Sequence, residues 1–404
     1  MRRKLLFYSV LSVVLTQVIV FGAIAASSAP EAIPIGALVS LSGKFSNIGN
    51  QAKAGYEIAA EEINKAGGVF VKEYNKKLPI DLIVENTESV PEKAISRMEY
   101  LYTSKNVVGY LGEGNMVNGQ GVAEKNKIPA LTIAATHISP HSRGLKYWFS
   151  TFSKAPDNAK VIFDILDSVP TEKRPKTVAL FVENTESSID HAETEKIEAN
   201  KRGYKVVFEE KYSPMTKDLS PLIIAAKNAS ADALLTSPVA PDGMLMMRQI
   251  KELDYNPRAI VVIRGAEDLS WAKALGPMGD YVLLTGSWHY KMKYPGVDKL
   301  NAAHQAKYGR PSDLLVGTAY ASMQVLVAAI EKAGALDTTK IRDALATTNN
   351  MMTVAGRVTF RPNGTNTDPC NAAIQWLSGT QKLVWPNEFK ETTFVYPIPP
   401  WKDR

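Results

Sequence analysis

The chain has one cysteine, Cys370, in 404 residues. No internal disulfide can form. Net charge is also small. The formal net charge is +6, and Arg2, Arg3 and Lys4 supply half of it. That remainder, with no basic stripe interleaved with aromatics, argues against nucleic acid as a partner. Only one apolar run is long enough to span a bilayer, and it lies at the N-terminus. There is no Ser/Gly linker and no low-complexity tract. The signatures of common enzymes are broken. Leu38 and Phe45 stand where a P-loop needs its first glycine and its Ser/Thr. Gly112-Glu113-Gly114 opens a dinucleotide fingerprint, but Val117 stands where its third glycine belongs. No G-x-S-x-G elbow exists. His137 and His141 have metal-ligand spacing, but Pro140 between them breaks the helix that would present both. Neither a cofactor nor a catalytic group is expected.

What is present begins with Arg2-Arg3-Lys4, followed by the apolar stretch Leu5 to Ile24 and the small-x-small pattern Ala23-Ile24-Ala25. This reads as a secretory signal, residues 1–25, cleaved near Ala25. An uncleaved anchor is the alternative. No cysteine near the cleavage site offers a lipid attachment point.

The chain is organised around Ile35 to Gly68. An apolar strand, Ile35 to Leu41, ends at Ser42-Gly43. A helix follows from about Gly49 to Lys65, with Ala52, Tyr56, Ala59, Ala60 and Ile63 on one face. Gly67-Gly68 closes it, because a left-handed cap favours a residue without Cβ. In open α/β sheets the loop between such a strand and helix is where ligands sit.

The same rhythm continues. Strands are expected at Pro79–Glu85, Val107–Leu111 and Ile128–Ala134. Helices are expected at Pro91–Ser104, with Ala94, Ile95, Met98, Leu101 and Tyr102 on one face, and at Asn115–Lys127. After Tyr147 to Phe152 a second series begins, with strands at Thr177–Val182, Lys205–Glu210, Asp232–Thr236, Ala259–Ile263 and Tyr281–Thr285. The polar helix Ser187–Arg202 reads as a solvated outer face. Helices Val316–Ala333 and Thr338–Thr347 follow, then a proline-rich tail expected to pack along a lobe. Two βα series predict two α/β lobes with parallel-sheet cores.

Three strand ends carry candidate binding chemistry. Glu113 to Gly119 places glycines beside a helix start, where backbone N–H groups can approach a carboxylate. Ala134-Ala135-Thr136 combines free space with a hydroxyl. Gly265-Ala266-Glu267 offers a carboxylate to a ligand ammonium. Alternatively, Glu267 is a helix-start charge, or pairs with Arg264.

Ser42-Gly43, the helix ending Glu62-Ile63-Asn64 before Gly67-Gly68, the Ile128-Pro129-x-Leu131 strand, Gly265-x-Glu267 and Gly317-Thr-Ala-Tyr-Ala321 together resemble the periplasmic binding proteins of branched-chain amino acid ABC transporters. The resemblance covers nearly all the chain after the signal. It implies a type I periplasmic binding fold: two Rossmann-like lobes and three interlobe crossings, near Thr151, Gly286 and Ala355. Lobe 1 would be residues 31–151 plus 288–354, and lobe 2 residues 152–287 plus 355–404.

The resemblance also implies site residues. Met116 and Ala134 fall where the family holds the α-carboxylate, with Asn115 or Asn118 as substitutes for Met116, which lacks a hydroxyl. Thr136 falls near the ligand's charged head, and Glu267 at the ammonium. The family's first-loop aromatic falls on Ile48, with Phe45 nearby. Its second-lobe tyrosines fall near Ser187-Ser188 and on Val239, and its crossing arginine on Ser150. The charged-head pocket is partly kept and the side-chain pocket rebuilt.

The implied role is a periplasmic, monomeric, solute-binding subunit of an ABC importer. It would bind an amino acid or related small carboxylate, close about a hinge and meet an inner-membrane permease. Rivals are a ligand sensor of the same fold, capture of a simple organic or aromatic acid, and a hydrolase or oxidoreductase on a two-lobed frame.

Overall fold

The computed structural model describes residues 28–404, so the expected signal segment lies outside the described residues. The first lobe is built on β1 (Ile33–Val39), β2 (Ile80–Asn86), β3 (Gly109–Gly112), β4 (Ala130–Thr132) and β5 (Trp148–Ser150). They form a parallel sheet in the order β2-β1-β3-β4-β5. β1 lies between β2 and β3 and is almost wholly buried, which is why it reads as a continuous apolar run rather than an alternating one.

Helix α1 (Ser46–Lys65) follows β1, and Gly67 and Gly68 adopt φ of 95° and 88° after it. Helix α2 (Pro91–Lys105) buries Ala94, Met98 and Leu101. Ile95 and Tyr102, expected on the same face, are 41% and 39% exposed. Each is adjacent in sequence to a buried position, so it lies about 100° round the helix, on the flank of the stripe. The expected helix Asn115–Lys127 divides into a 3₁₀ stretch, Gly114–Gly119, and α3 (Gln120–Asn126).

The second lobe contains α4 (Ala155–Asp167), β6 (Thr177–Glu183), α5 (Glu186–Lys201), β7 (Lys205–Tyr212), α6 (Ser220–Asn228), β8 (Ala233–Thr236), α7 (Ala240–Glu252), β9 (Ala259–Val262), α8 (Ser270–Leu275) and β10 (Leu283–Ser287). Three helices then return to the first lobe: α9 (Val297–Tyr308), α10 (Val316–Ala333) and α11 (Thr338–Ala346). Helix α10 lies against α1, where the Leu315 N–H donates to Gln51 Oε1 at 3.1 Å and Tyr320 Oη to Glu62 at 2.8 Å. The chain goes back to add β11 (Ala372–Leu377) and β12 (Thr380–Trp385), giving the order β12-β11-β10-β9-β8-β6-β7. β11 and β12 are antiparallel, an edge the βα rhythm does not announce.

Two expectations need correction. The third crossing is not near Ala355. Ser150 and Thr365 form a parallel bridge, and the Ser150 N–H donates to the Gly364 carbonyl at 2.8 Å. Backbone pairing therefore keeps the chain on the first sheet as far as Asn366, and it crosses just before β11. Nor is α5 simply a solvated face. Its buried side consists of Ser188, His191, Ala192, Glu195 and Ala199, three of them polar. The low apolar content of this helix hides a buried polar stripe. The tail packs as expected: Ile398 is buried and Trp401 Nε1 donates to the Tyr255 carbonyl at 2.8 Å.

Candidate functional site

In both sheets the carboxyl ends of the parallel strands lead into loops that meet between the lobes, where α/β folds place ligands. A cavity of about 20 Å³ lies there. Ile48 and Leu315, at the starts of α1 and α10, and Ala134 and Thr136, beyond β4, line it from the first lobe. Ile263, Arg264 and Glu267, beyond β9, line it from the second, with Asn158 on α4 and Thr285 and Gly286 on β10. Phe152 closes it at the first crossing.

The crossings are tied together beneath this cavity. Ser153 Oγ, on the first, donates to the Gly286 carbonyl at 3.1 Å, and the Gly286 N–H donates to Asn371 Oδ1, before β11, at 2.8 Å. Gly286 has φ of 98°, and a Cβ there would stand 2.7 Å from Asn158 Nδ2. Both the backbone angle and the close approach call for glycine.

The lobes also bond directly at the cleft mouth. Thr136 and Ser187 share a hydroxyl–hydroxyl bond of 2.7 Å, and the Ile138 N–H donates to Asp190 Oδ2 at 2.9 Å. Ser139 Oγ donates to Glu186. The N-terminal turns of α5 thus close over the loop that follows β4.

Cations and carboxylates concentrate around the cavity. Lys154 is buried and its Nζ donates to the Ala135 carbonyl at 2.6 Å. Burial pulls its ammonium down to about 7, against the pull of Asp157 in the other direction. Arg264 donates to Glu183 Oε1 at 3.1 Å and to the Ser237 carbonyl at 2.5 Å. Behind it on α5, burial lowers His191 to about 3, with Arg264 and His137 adding in the same direction. One turn further on, burial alone lifts Glu195 to about 8.

The sequence-derived candidates separate into groups. Ile48, Ala134, Thr136 and Glu267 come together on the cavity. Ser187 joins them through Thr136, and Ala135 through Lys154. The Gly-rich loop lies apart. Glu113 accepts from the Ser40 N–H at 3.0 Å, Ser40 Oγ at 2.7 Å and the Asn115 N–H at 2.9 Å. Asn118 Nδ2 donates to the Asn115 carbonyl at 2.9 Å. Met116 is buried in the apolar cluster with Leu38, Met98 and Leu101. Phe45 caps α1 beneath Lys44, whose Nζ stands 4.8 Å above its ring. The Val239 N–H donates to Glu183 Oε2 at 2.6 Å. Ser188 is buried under α5 rather than on the cavity. Ser150 Oγ donates to the Thr132 carbonyl at 3.1 Å.

Sequence reasoning did not single out Asn158, Thr285 or Leu315. Each lies inside or beside a regular element, and only the packing of the crossings turns it inward. The signal available for Thr285 is Gly286 beside it at a strand end.

Comparison with known proteins agrees with this architecture. A family model described as "Periplasmic binding protein" matches residues 32–381. A Leu/Ile/Val-binding protein homolog 7 from Brucella abortus (strain 2308) is 26% identical over 387 residues, 90% of this chain and 94% of that protein. A Leu/Ile/Val-binding protein homolog 3 from Brucella melitensis is 28% identical over 359 residues, 88% and 94% of the two chains. Among solved structures, the leucine binding protein LivK from Thermotoga maritima superposes with a TM-score of 0.77 at 20% identity, covering 87% of this chain and 97% of that one. The branched-chain amino acid transporter substrate binding protein LivJ from Streptococcus pneumoniae, in complex with isoleucine, gives 0.75 at 19% identity, covering 91% and 100%. With its two α/β lobes and the cleft between them, the chain belongs to the periplasmic binding protein family.

Proposed function

We propose that this protein is the extracytoplasmic solute-binding subunit of an ABC importer. It captures an amino acid or related small carboxylate between its lobes and delivers it to a membrane permease. The observation that carries this reading is the cavity at which Ala134 and Thr136 of one lobe face Arg264 and Glu267 of the other. Its volume of about 20 Å³ admits roughly one water molecule. A solute of amino acid size therefore enters only when the lobes part, and leaves only when they part again. The hinge comprises the three crossings stitched at Gly286. Glu267 receives the ligand ammonium and Thr136 bonds its charged head. No bond of the solute is made or broken.

Secretion follows cleavage near Ala25, and the mature protein acts as a monomer. Native mass spectrometry of protein purified from the periplasm tests the reading. It should reveal a retained small molecule that is recovered chemically unchanged and raises the thermal midpoint when added back. Loss of Arg2 to Lys4 from the intact mass should accompany it. A retained solute converted to product would replace binding with catalysis.

A further inference from the structure

The second-lobe wall of the cavity carries polar atoms that have no partner among the described residues. Asn158 is fully buried, and neither its Oδ1 nor its Nδ2 has a hydrogen-bonding partner among the described residues. Thr285 is equally buried, and its Oγ1 is in the same position. Arg264 Nη2 donates to Glu183 and Ser237, while its buried Nε has no partner among the described residues. All three residues line the cavity. A buried donor or acceptor left unmade costs the desolvation of that group, so such groups mark places where a ligand or water completes the bonding. Four such atoms, on α4, on β10 and in the loop after β9, belong to residues around a cavity that admits roughly one water, and a buried water typically makes about three hydrogen bonds.

We propose that this wall is a specificity site for a polar ligand side chain: a carboxamide, carboxylate or hydroxyl that lies toward the hinge and bonds Asn158 and Thr285. The inference rests on the amino acid reading above and narrows it. An aliphatic branched side chain pressed against this wall would seal these polar atoms away from water without pairing them. A carboxamide or carboxylate offers acceptors to Asn158 Nδ2, Thr285 Oγ1 and Arg264 Nε. A carboxamide also donates to Asn158 Oδ1. Selectivity built on hydrogen bonds to a ligand group discriminates strongly against an isostere that lacks it. Because Asn158 packs against Gly286 at the stitched crossings, a ligand held here touches the hinge itself.

Calorimetric titration of the mature protein with near-isosteric amino acids tests this. The sets are leucine with asparagine and aspartate, valine with threonine, and methionine with glutamine and glutamate. In at least one set the polar member should bind at least tenfold tighter than the apolar one. Asn158→Leu and Thr285→Val, which keep side-chain shape, should shrink that ratio at least tenfold while circular dichroism and thermal midpoint show an intact fold. Apolar members that bind as tightly as their polar isosteres would overturn the inference and leave the amino acid reading standing. A wild-type preference unchanged in both variants would overturn it in the same way. If no amino acid or small carboxylate binds, both readings fall.

Discussion

The Gly-rich loop of the first lobe and the second-lobe wall of the cavity treat their polar groups differently. In the first lobe, the loop after β3 is bonded to itself and to the end of β1: Glu113 takes three donors from Ser40 and Asn115, and Asn118 holds Asn115. In the second-lobe wall, the side chains of Asn158 and Thr285 are buried with no partner among the described residues. A loop whose donors are already used acts as a frame, whereas a wall with unpaired buried groups acts as a receptor. Glycines at a strand end therefore do not by themselves identify the ligand wall. The backbone groups they expose can be consumed locally, as Glu113 consumes the Asn115 N–H.

The largest effect that would break this contrast is on stability. Glu113→Ala leaves the donors of Ser40 and Asn115 without their acceptor, and should cost about 3–5 kcal/mol of folding free energy. Denaturant unfolding checks it, and the folded fraction should keep its affinity. A stable Glu113→Ala protein with lost binding would instead make this loop part of the receptor. Glu267→Ala should have the opposite character. It should lose about 2–5 kcal/mol of ligand affinity, because the ligand's ammonium loses its partner, with the ligand-free fold retained. Titration calorimetry reads the loss. Wild-type affinity would reduce Glu267 to a charge at a helix start.

A smaller effect concerns the polar stripe beneath the second wall. Burial raises Glu195 to about 8, from an ordinary value of 4.5. Its contribution is therefore fully present below pH 4.5 and is lost as pH rises through about 8. Glu195→Gln removes that penalty. It should be more stable than wild type at pH 8 by on the order of 1–3 kcal/mol, with the gap closing toward pH 4. Thermal melts across that range check it, and a gap that does not change with pH would contradict it. Lys154 acts in the other direction. With its ammonium depressed to about 7, its contribution is fully present above pH 10.5 and is lost as pH falls through about 7. The smallest effect is at Thr136, where Thr136→Ala should cost about 0.5–1.5 kcal/mol of affinity, one ordinary hydrogen bond.

Much of the fold is legible in the sequence, because helix and strand periods are local. The spacing of Ala52, Tyr56 and Ala59 and the pair Gly67-Gly68 define α1 without tertiary help. Helix α10 likewise spans Val316–Ala333, as its pattern predicts. Where neighbouring elements decide, legibility fails. Ile95 and Tyr102 sit beside buried positions, so their exposure depends on how far α2 is rolled toward the sheet. Thr365 lies outside every expected element, yet its bridge to Ser150 moves the third crossing. At the site, Ala134, Thr136 and Glu267 are legible because they end strands in small or polar residues. Asn158 is not. An asparagine in the second turn of a helix ordinarily faces water, and here the close approach of Gly286 helps to bury it.

The central claim is that the solute is enclosed between two lobes that move about the stitched crossings. Small-angle X-ray scattering, with and without saturating amounts of the retained solute, tests it most directly. The account predicts a smaller radius of gyration with ligand, since closure forms the Thr136–Ser187 and Ile138–Asp190 bonds across the cleft mouth. Superimposable scattering curves at proven saturation would contradict it.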